Sequence, residues 1–214
     1  DAGTLSLLAP PETNNVVPLN EGWTLMPVVS PIPVNSDELF SGINSALQIV
    51  KEVAGTKVFW PDVGIYTLDE IKPGKAYLIR CSEPVNLVFE TFPPDGWFQK
   101  TINEYDLEEN IFHPWNKVIT SSFTHTIGFP LDITKLIRDG DVIGVFTPEG
   151  QCAGVATAEP DQSFALTAFA DDPLTLDKEG FLAGEPLSFK KYTPDTDEEA
   201  VFRIIFDPEF PNAD

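Results

Sequence analysis

Histidine is scarce in this chain: His113 and His125 are the two copies among 214 residues. No Gly-x-Ser-x-Gly elbow is present, and no cysteine stands in an arrangement with either histidine. A nucleophile–base–acid relay therefore has almost nothing to be built from. Basic residues are also few, 13 Lys and Arg against 34 Asp and Glu, for a net charge of -21. So negative a surface repels phosphate backbones and anionic lipid headgroups, which argues against nucleic acid as a partner. No apolar run approaches the ~18 residues of a spanning helix, so no membrane insertion is expected. The chain opens on Asp1 rather than Met, which is compatible with a leader removed before it. Two cysteines, Cys81 and Cys152, fall in different halves at strand-like positions. They read either as small buried hydrophobes or as a disulfide joining the halves.

What the chain has is proline and short apolar stretches. Twenty prolines cut it into pieces suited to short strands joined by rigid turns. The fold expected is mainly β, in two β-rich units: the second an antiparallel β-sandwich or barrel, the first carrying short helices. Residues 1–20 read as an extended N-terminal arm, with an apolar Leu5-Ser-Leu-Leu-Ala segment able to add a strand to its own sheet or a neighbour's. Residues 21–92 form the first unit. Within it, strands are expected from Trp23 to Val29, in a hairpin of 47–53 with 57–60, and in a second hairpin of 76–81 with 85–90. Asn35 with Glu38 marks a capped helix, and Thr67 with Glu70 repeats that spacing. Residues 93–116 read as a linker or inter-unit loop, 117–208 as the second unit and 209–214 as a tail.

The phrase from Gly140 to Ala156 is the clearest hairpin. Two apolar strands flank Thr-Pro-Glu-Gly-Gln. Folding about Glu149 sets Gly144 opposite Gly154. Glycine weakens a strand unless something must approach the backbone. The pair therefore implies a groove filled by a bulky side chain or by a ligand.

Candidate chemistry is confined to three groups. Asp171, Asp172, Asp177 and Glu179 fall within nine positions, and hard oxygen ligands of this kind suit calcium; the plain alternative is a set of solvated loop acids. Their spacing is not that of an EF-hand loop. Trp97 and Trp115 lie outside the clear strand patterns; they and Tyr66 offer platforms for stacking on sugars, or, for the two tryptophans, glue between the units. Trp23 and Trp60 sit inside strand patterns and read as core. Asp139 and Asp141 flank a turn glycine, which by itself explains them. Carboxylates are plentiful, but a glycosidase needs two opposed across a cleft, and no such pair follows from the spacing.

Two sets of motifs carry a resemblance. The first unit has Leu19-x-x-Gly-Trp-x-Leu, Ile49-Val-Lys-Glu-x-x-Gly-x-x-x-x-Trp-Pro and Gly64-Ile-x-Thr-Leu-x-x-Ile-x-Pro-Gly-Lys-Ala-Tyr-x-Ile. The second has Gly140-Asp-x-Ile-Gly-Val-Phe, Gly150-Gln-Cys-Ala-Gly and Gly180-Phe-x-x-Gly-Glu-Pro-Leu-x-Phe. The first set resembles a repeat of large secreted and cell-surface proteins of the Bacteroidetes. The second is similar to a module found beside that repeat. The resemblance implies a secreted or cell-surface setting and an adhesive or structural role. The expectation is thus a non-catalytic structural or adhesion module, partnered by other copies of itself or by cell-surface proteins. One form of it is a self-assembling filament or surface subunit joined through the N-terminal arm. A carbohydrate-binding module is the alternative, with glycans as partners, and a glycosidase-type hydrolase a more distant one.

Overall fold

The computed structural model describes residues 15–89, 111, 113–115, 117–159 and 161–207. Trp97, most of the arm, nearly all of the 93–116 linker and the tail lie outside the described residues.

The first half contains β1 (Val16–Leu19), β2 (Gly22–Met26), β3 (Val34–Asn35), α1 (Ser36–Phe40), β4 (Leu47–Glu52), β5 (Val58–Trp60), β6 (Ile65–Tyr66), β7 (Glu70–Ile71), β8 (Tyr77–Cys81) and β9 (Val85–Val88). Helix α1 starts where its cap predicts: the Asn35 side chain accepts the Glu38 amide at 3.1 Å, and Leu39 and Phe40 turn inward. The Lys72-Pro-Gly-Lys turn closes with Lys75 N–H donating to the Lys72 carbonyl, Gly74 taking the positive φ of 82° that a type II turn demands. A five-stranded antiparallel sheet runs in the order β2-β8-β4-β5-β6. The pairs β1–β9 and β3–β7 and helix α1 share one core with it, built on Phe40, Val50, Ile71, Tyr77, Ile79 and Leu87.

Two local expectations fail here. Strands β8 and β9 do not form a hairpin: β8 lies between β2 and β4, and β9 pairs with β1. The Ser82 amide donates to the Ala46 carbonyl, which turns the chain out of the sheet, and β9 is left to bury Leu87 against the other layer. Thr67 caps no helical turn. Its hydroxyl donates to the Val58 carbonyl and accepts the Val58 amide, so it serves as a side-chain rung beside β5.

The second half contains β10 (Thr124–Phe129), α2 (Leu131–Thr134), β11 (Val142–Phe146), β12 (Cys152–Thr157), β13 (Phe164–Phe169), β14 (Ser188–Thr193) and β15 (Glu198–Phe202). Strands β12-β11-β14-β15 form an antiparallel sheet, and β10–β13 form a separate pair. Ile127, Phe129, Ile143, Val145, Leu166 and Phe189 fill the space between. This is a sandwich-like arrangement, and among the described residues no sheet closes into a barrel.

The Gly140–Ala156 hairpin forms, one register step away from the expected pairing. Gly144 faces Val155, and Val145 faces Gly154. The shift arises at a bulge, where Phe146 pairs with Cys152 and Ala153 becomes an extra residue on β12. The two glycines therefore point to opposite faces.

Both cysteines are free and buried, at 1% exposure for Cys81 and 0% for Cys152, so no disulfide joins the halves. Burial pushes the Cys152 thiol up to about 11. A thiolate-dependent reagent such as DTNB is expected to label neither cysteine in the native chain and both in denaturant. Prompt native labelling would contradict this packing.

Candidate functional site

The halves meet through aromatic and aliphatic residues of the β5–β6 corner. A side chain at Gly128, on β10, would meet the Trp60 ring at 3.2 Å, Val63 at 3.3 Å and Ile65 at 3.4 Å. The Lys51 ammonium donates to the Thr124 carbonyl at 3.0 Å. Trp60 is thus glue between the halves rather than core of the first. Trp23 also leaves the core: it lies 36% exposed on edge strand β2, with the Lys51 ammonium 5.0 Å and the Arg80 guanidinium 6.0 Å from its ring.

Beside the corner, a cleft of about 290 Å³ is lined by Gly64, Tyr66, Thr67, Leu131, Asp161, Gln162 and Ser163. Tyr66 ends β6 and is 52% exposed. Its ring is held edge-to-face against Phe59 at 5.1 Å. Gly64 closes a short 3-10 turn in the left-handed region, at φ 72°, and leaves open space where a side chain would stand. Asp161 also adopts a left-handed backbone, at φ 56°, in the loop between β12 and β13. Aspartate tolerates this conformation better than most residues.

A second groove of about 430 Å³ runs between α1 and β9, lined by apolar Ile32, Val34, Leu39, Ile43 and Val88 and by polar Asn35, Glu38, Ser41 and Asn86. Among the described residues, Asp161 is the one carboxylate lining the first cleft and Glu38 the one lining the second. Neither presents the facing pair that glycoside hydrolysis uses.

Trp115 packs on the outer face of the four-stranded sheet. A Cβ at Gly144 would lie 2.5 Å from its ring, which crosses Phe146 at 90° and 5.1 Å and approaches Tyr192 at 6.3 Å. Its indole N–H donates to Glu199, which also accepts from Lys190 at 3.0 Å. These two donors, Trp115 first, hold the Glu199 carboxyl below its usual range. Trp115 is therefore the bulky side chain that the Gly144 gap accommodates.

The acidic residues knit their own loop. Asp171 accepts the Glu179 amide at 3.0 Å, Glu179 accepts the Asp172 amide at 3.2 Å, and Asp172 accepts the Leu174 amide at 2.9 Å. Asp177 is exposed. The Thr175 hydroxyl, the largest influence on it, helps hold the buried Glu179 carboxyl low. Among the described residues, no group of three or more His, Cys, Asp or Glu side chains converges so as to hold a metal ion.

Asp141 has a larger part than its turn position suggests. It is fully buried, with Lys191 at 2.6 Å, the Thr193 hydroxyl at 2.6 Å and the Arg138 amide at 3.1 Å. Burial pushes the carboxyl up, but these three donors and the Lys191 charge outweigh it and leave it below the ordinary range. Nothing local flags the arrangement, since Lys191 is 50 positions away.

Among the described residues, no helix is long and apolar enough to cross a membrane. No family model, curated protein or solved structure matches the chain.

Proposed function

We propose that this chain is a non-catalytic structural or adhesion module of a secreted or cell-surface protein, working through contact surfaces. The observation that carries the reading is the open side of β9. Among the described residues β9 pairs with β1 alone. Its Asn86 and Val88, the latter 54% exposed, border the mixed polar and apolar groove beside α1. A strand edge with no partner among the described residues, beside a groove with apolar side chains in it, is the arrangement that accepts an added strand. The occupant proposed is Leu5-Ser-Leu-Leu-Ala from a second copy, whose leucines offer apolar side chains to Ile32, Val34 and Val88. The motif resemblance in both halves supports the cell-surface setting. Calcium at the 171–179 loop stays a separate proposal; a melting temperature unchanged by calcium after chelation would remove it.

Light scattering on the full chain is expected to show concentration-dependent association. Deleting residues 1–11, or changing the exposed Val88 to Lys, is expected to abolish it while leaving the fold intact. Assembly unchanged by both variants, or a wild-type chain that stays monomeric at high concentration, overturns the strand-addition form.

A further inference from the structure

We infer that the Tyr66 cleft is a binding subsite for a neutral saccharide. This goes beyond the assembly reading, because strand addition at β9 needs nothing from the β5–β6 corner.

The argument begins with what lines the cleft. Tyr66 supplies an aromatic ring that is more than half exposed yet fixed from behind by Phe59. A pre-oriented ring of this kind binds at little entropic cost. Around it stand a carboxylate, a carboxamide and a hydroxyl, from Asp161, Gln162 and Ser163 in succession. The Asp161 carboxylate accepts hydrogen bonds, Gln162 both donates and accepts, and Ser163 does both through one oxygen. Adjacent hydroxyls on a pyranose need that mixture of acceptors and donors, and the apolar face of the same ring needs the aromatic surface. The cleft also lies between two packed halves, a place where ligand sites concentrate.

Charge narrows the ligand class. Among the described residues Asp161 is the only ionisable side chain in the cleft apart from the tyrosine itself, and the whole chain carries -21. Sulfated, phosphorylated and uronic sugars are repelled by that field. A quaternary ammonium would use the ring and the carboxylate but would leave the amide and hydroxyl idle, and recognition of that group employs a cage of aromatics rather than one. The backbone adds its own indication. Among the described residues Asp161 is one of three non-glycine residues with positive φ, the others being Ala54 and Asp197, and it alone of the three lines either groove. The left-handed turn at Asp161 sets the direction in which the Gln162 and Ser163 backbone enters the cleft.

The cleft is open, with most of its lining exposed. It therefore suits a segment of a longer glycan better than an engulfed monosaccharide, and modest affinity is expected.

The test is calorimetric titration of the full chain with cellohexaose, xylohexaose, mannohexaose, laminarihexaose and chitohexaose, with heparin-derived hexasaccharide and choline as contrasts. At least one neutral hexasaccharide is expected to bind. Tyr66→Ala should weaken that binding by about tenfold or more, and Gln162→Ala by several-fold. Gln162 is exposed on a loop, so its variant keeps the test decisive if Tyr66→Ala loosens the corner. Failure of every neutral hexasaccharide to bind, binding of choline or the heparin fragment alone, or saccharide binding indifferent to both substitutions overturns the inference. Light scattering on the same variants should show assembly unchanged, which separates this site from the β9 groove.

Discussion

Replacing Lys191 with Met is expected to destabilise the chain by about 3 kcal/mol or more, one of the largest effects of any single charge removal. The reason is the carboxylate left behind. Asp141 is fully buried, and Lys191 is the cation that compensates it. Breaking a buried pair from one side costs about 3–5 kcal/mol, because an uncompensated charge stays in a medium that cannot solvate it. Here Thr193 and the Arg138 amide still donate, which places the loss toward the lower end of that range. Asp141→Asn should cost less, about 2 kcal/mol, since it removes the charge while keeping the shape and part of the hydrogen bonding. The double variant should be more stable than the sum of the single losses predicts, because the residues are in contact. Urea unfolding of the four proteins measures all three numbers. A Lys191→Met variant within about 0.5 kcal/mol of wild type, the range of ordinary surface changes, contradicts the assignment.

The same pair sets a pH dependence. The folded Asp141 carboxyl titrates below its ordinary value of 3.8. A carboxyl with a depressed folded pKa contributes stability that is fully present above the unfolded value and is lost as pH falls through the folded one. Wild type should therefore lose stability below about pH 4 more steeply than Asp141→Asn, and the two curves should converge in strong acid.

Local signals account for most of what was readable in advance. Asn35 with Glu38 is a complete cap within four residues, and Thr-Pro-Glu-Gly-Gln is a complete turn, so α1 and the β11–β12 hairpin appear where the chain says they should. Ser82-Glu-Pro looks equally like a hairpin turn, yet the strands it joins enter different sheets. A turn specifies a reversal of the chain, whereas the choice of partner depends on which other strand completes each layer. Trp23 shows the corresponding limit for side chains. Alternation along β2 is plain, but on an edge strand it does not say which face is covered. Trp60 likewise reads as core because it is strand-flanked and large, although the surface it covers belongs to the other half. The Tyr66 cleft was half legible. Tyr66 offers itself as a stacking platform, but Asp161, Gln162 and Ser163 reach it from almost 100 residues further on, through packing that no local pattern encodes.

The two hairpin glycines permit a second test of large effect, because they now answer to different neighbours. Gly154 faces the backbone of β13: a Cβ there would overlap the Thr167 carbonyl oxygen, with the carbonyl carbon at 3.0 Å and Val145 at 3.1 Å. Thr167 sits inside the β10–β13 ladder, opposite Thr126, so its carbonyl cannot withdraw without moving the strand. Gly154→Ala is therefore expected to cost about 3 kcal/mol, the upper part of the overpacking range, and to lower Tm by roughly 6–12 °C for a chain of this size. Gly144 meets side-chain atoms instead, Trp115 at 2.5 Å and Phe146 at 2.9 Å. Rings can rotate or shift where a paired strand cannot, so Gly144→Ala should cost less, about 1–2 kcal/mol, and should alter the tryptophan fluorescence through Trp115. Gly42 supplies the control. It lies in the short helical turn after α1, at negative φ, with no neighbouring atom within 4 Å of the position a Cβ would take. Alanine there should be neutral or stabilising by about 0.5 kcal/mol through lower unfolded-state entropy. The expected order of stability is Gly42→Ala, Gly144→Ala, then Gly154→Ala. A Gly154→Ala variant as stable as Gly144→Ala would show that β12 and β13 are not held in the close approach that the bulge at Ala153 and the missing side chain at Gly154 together create.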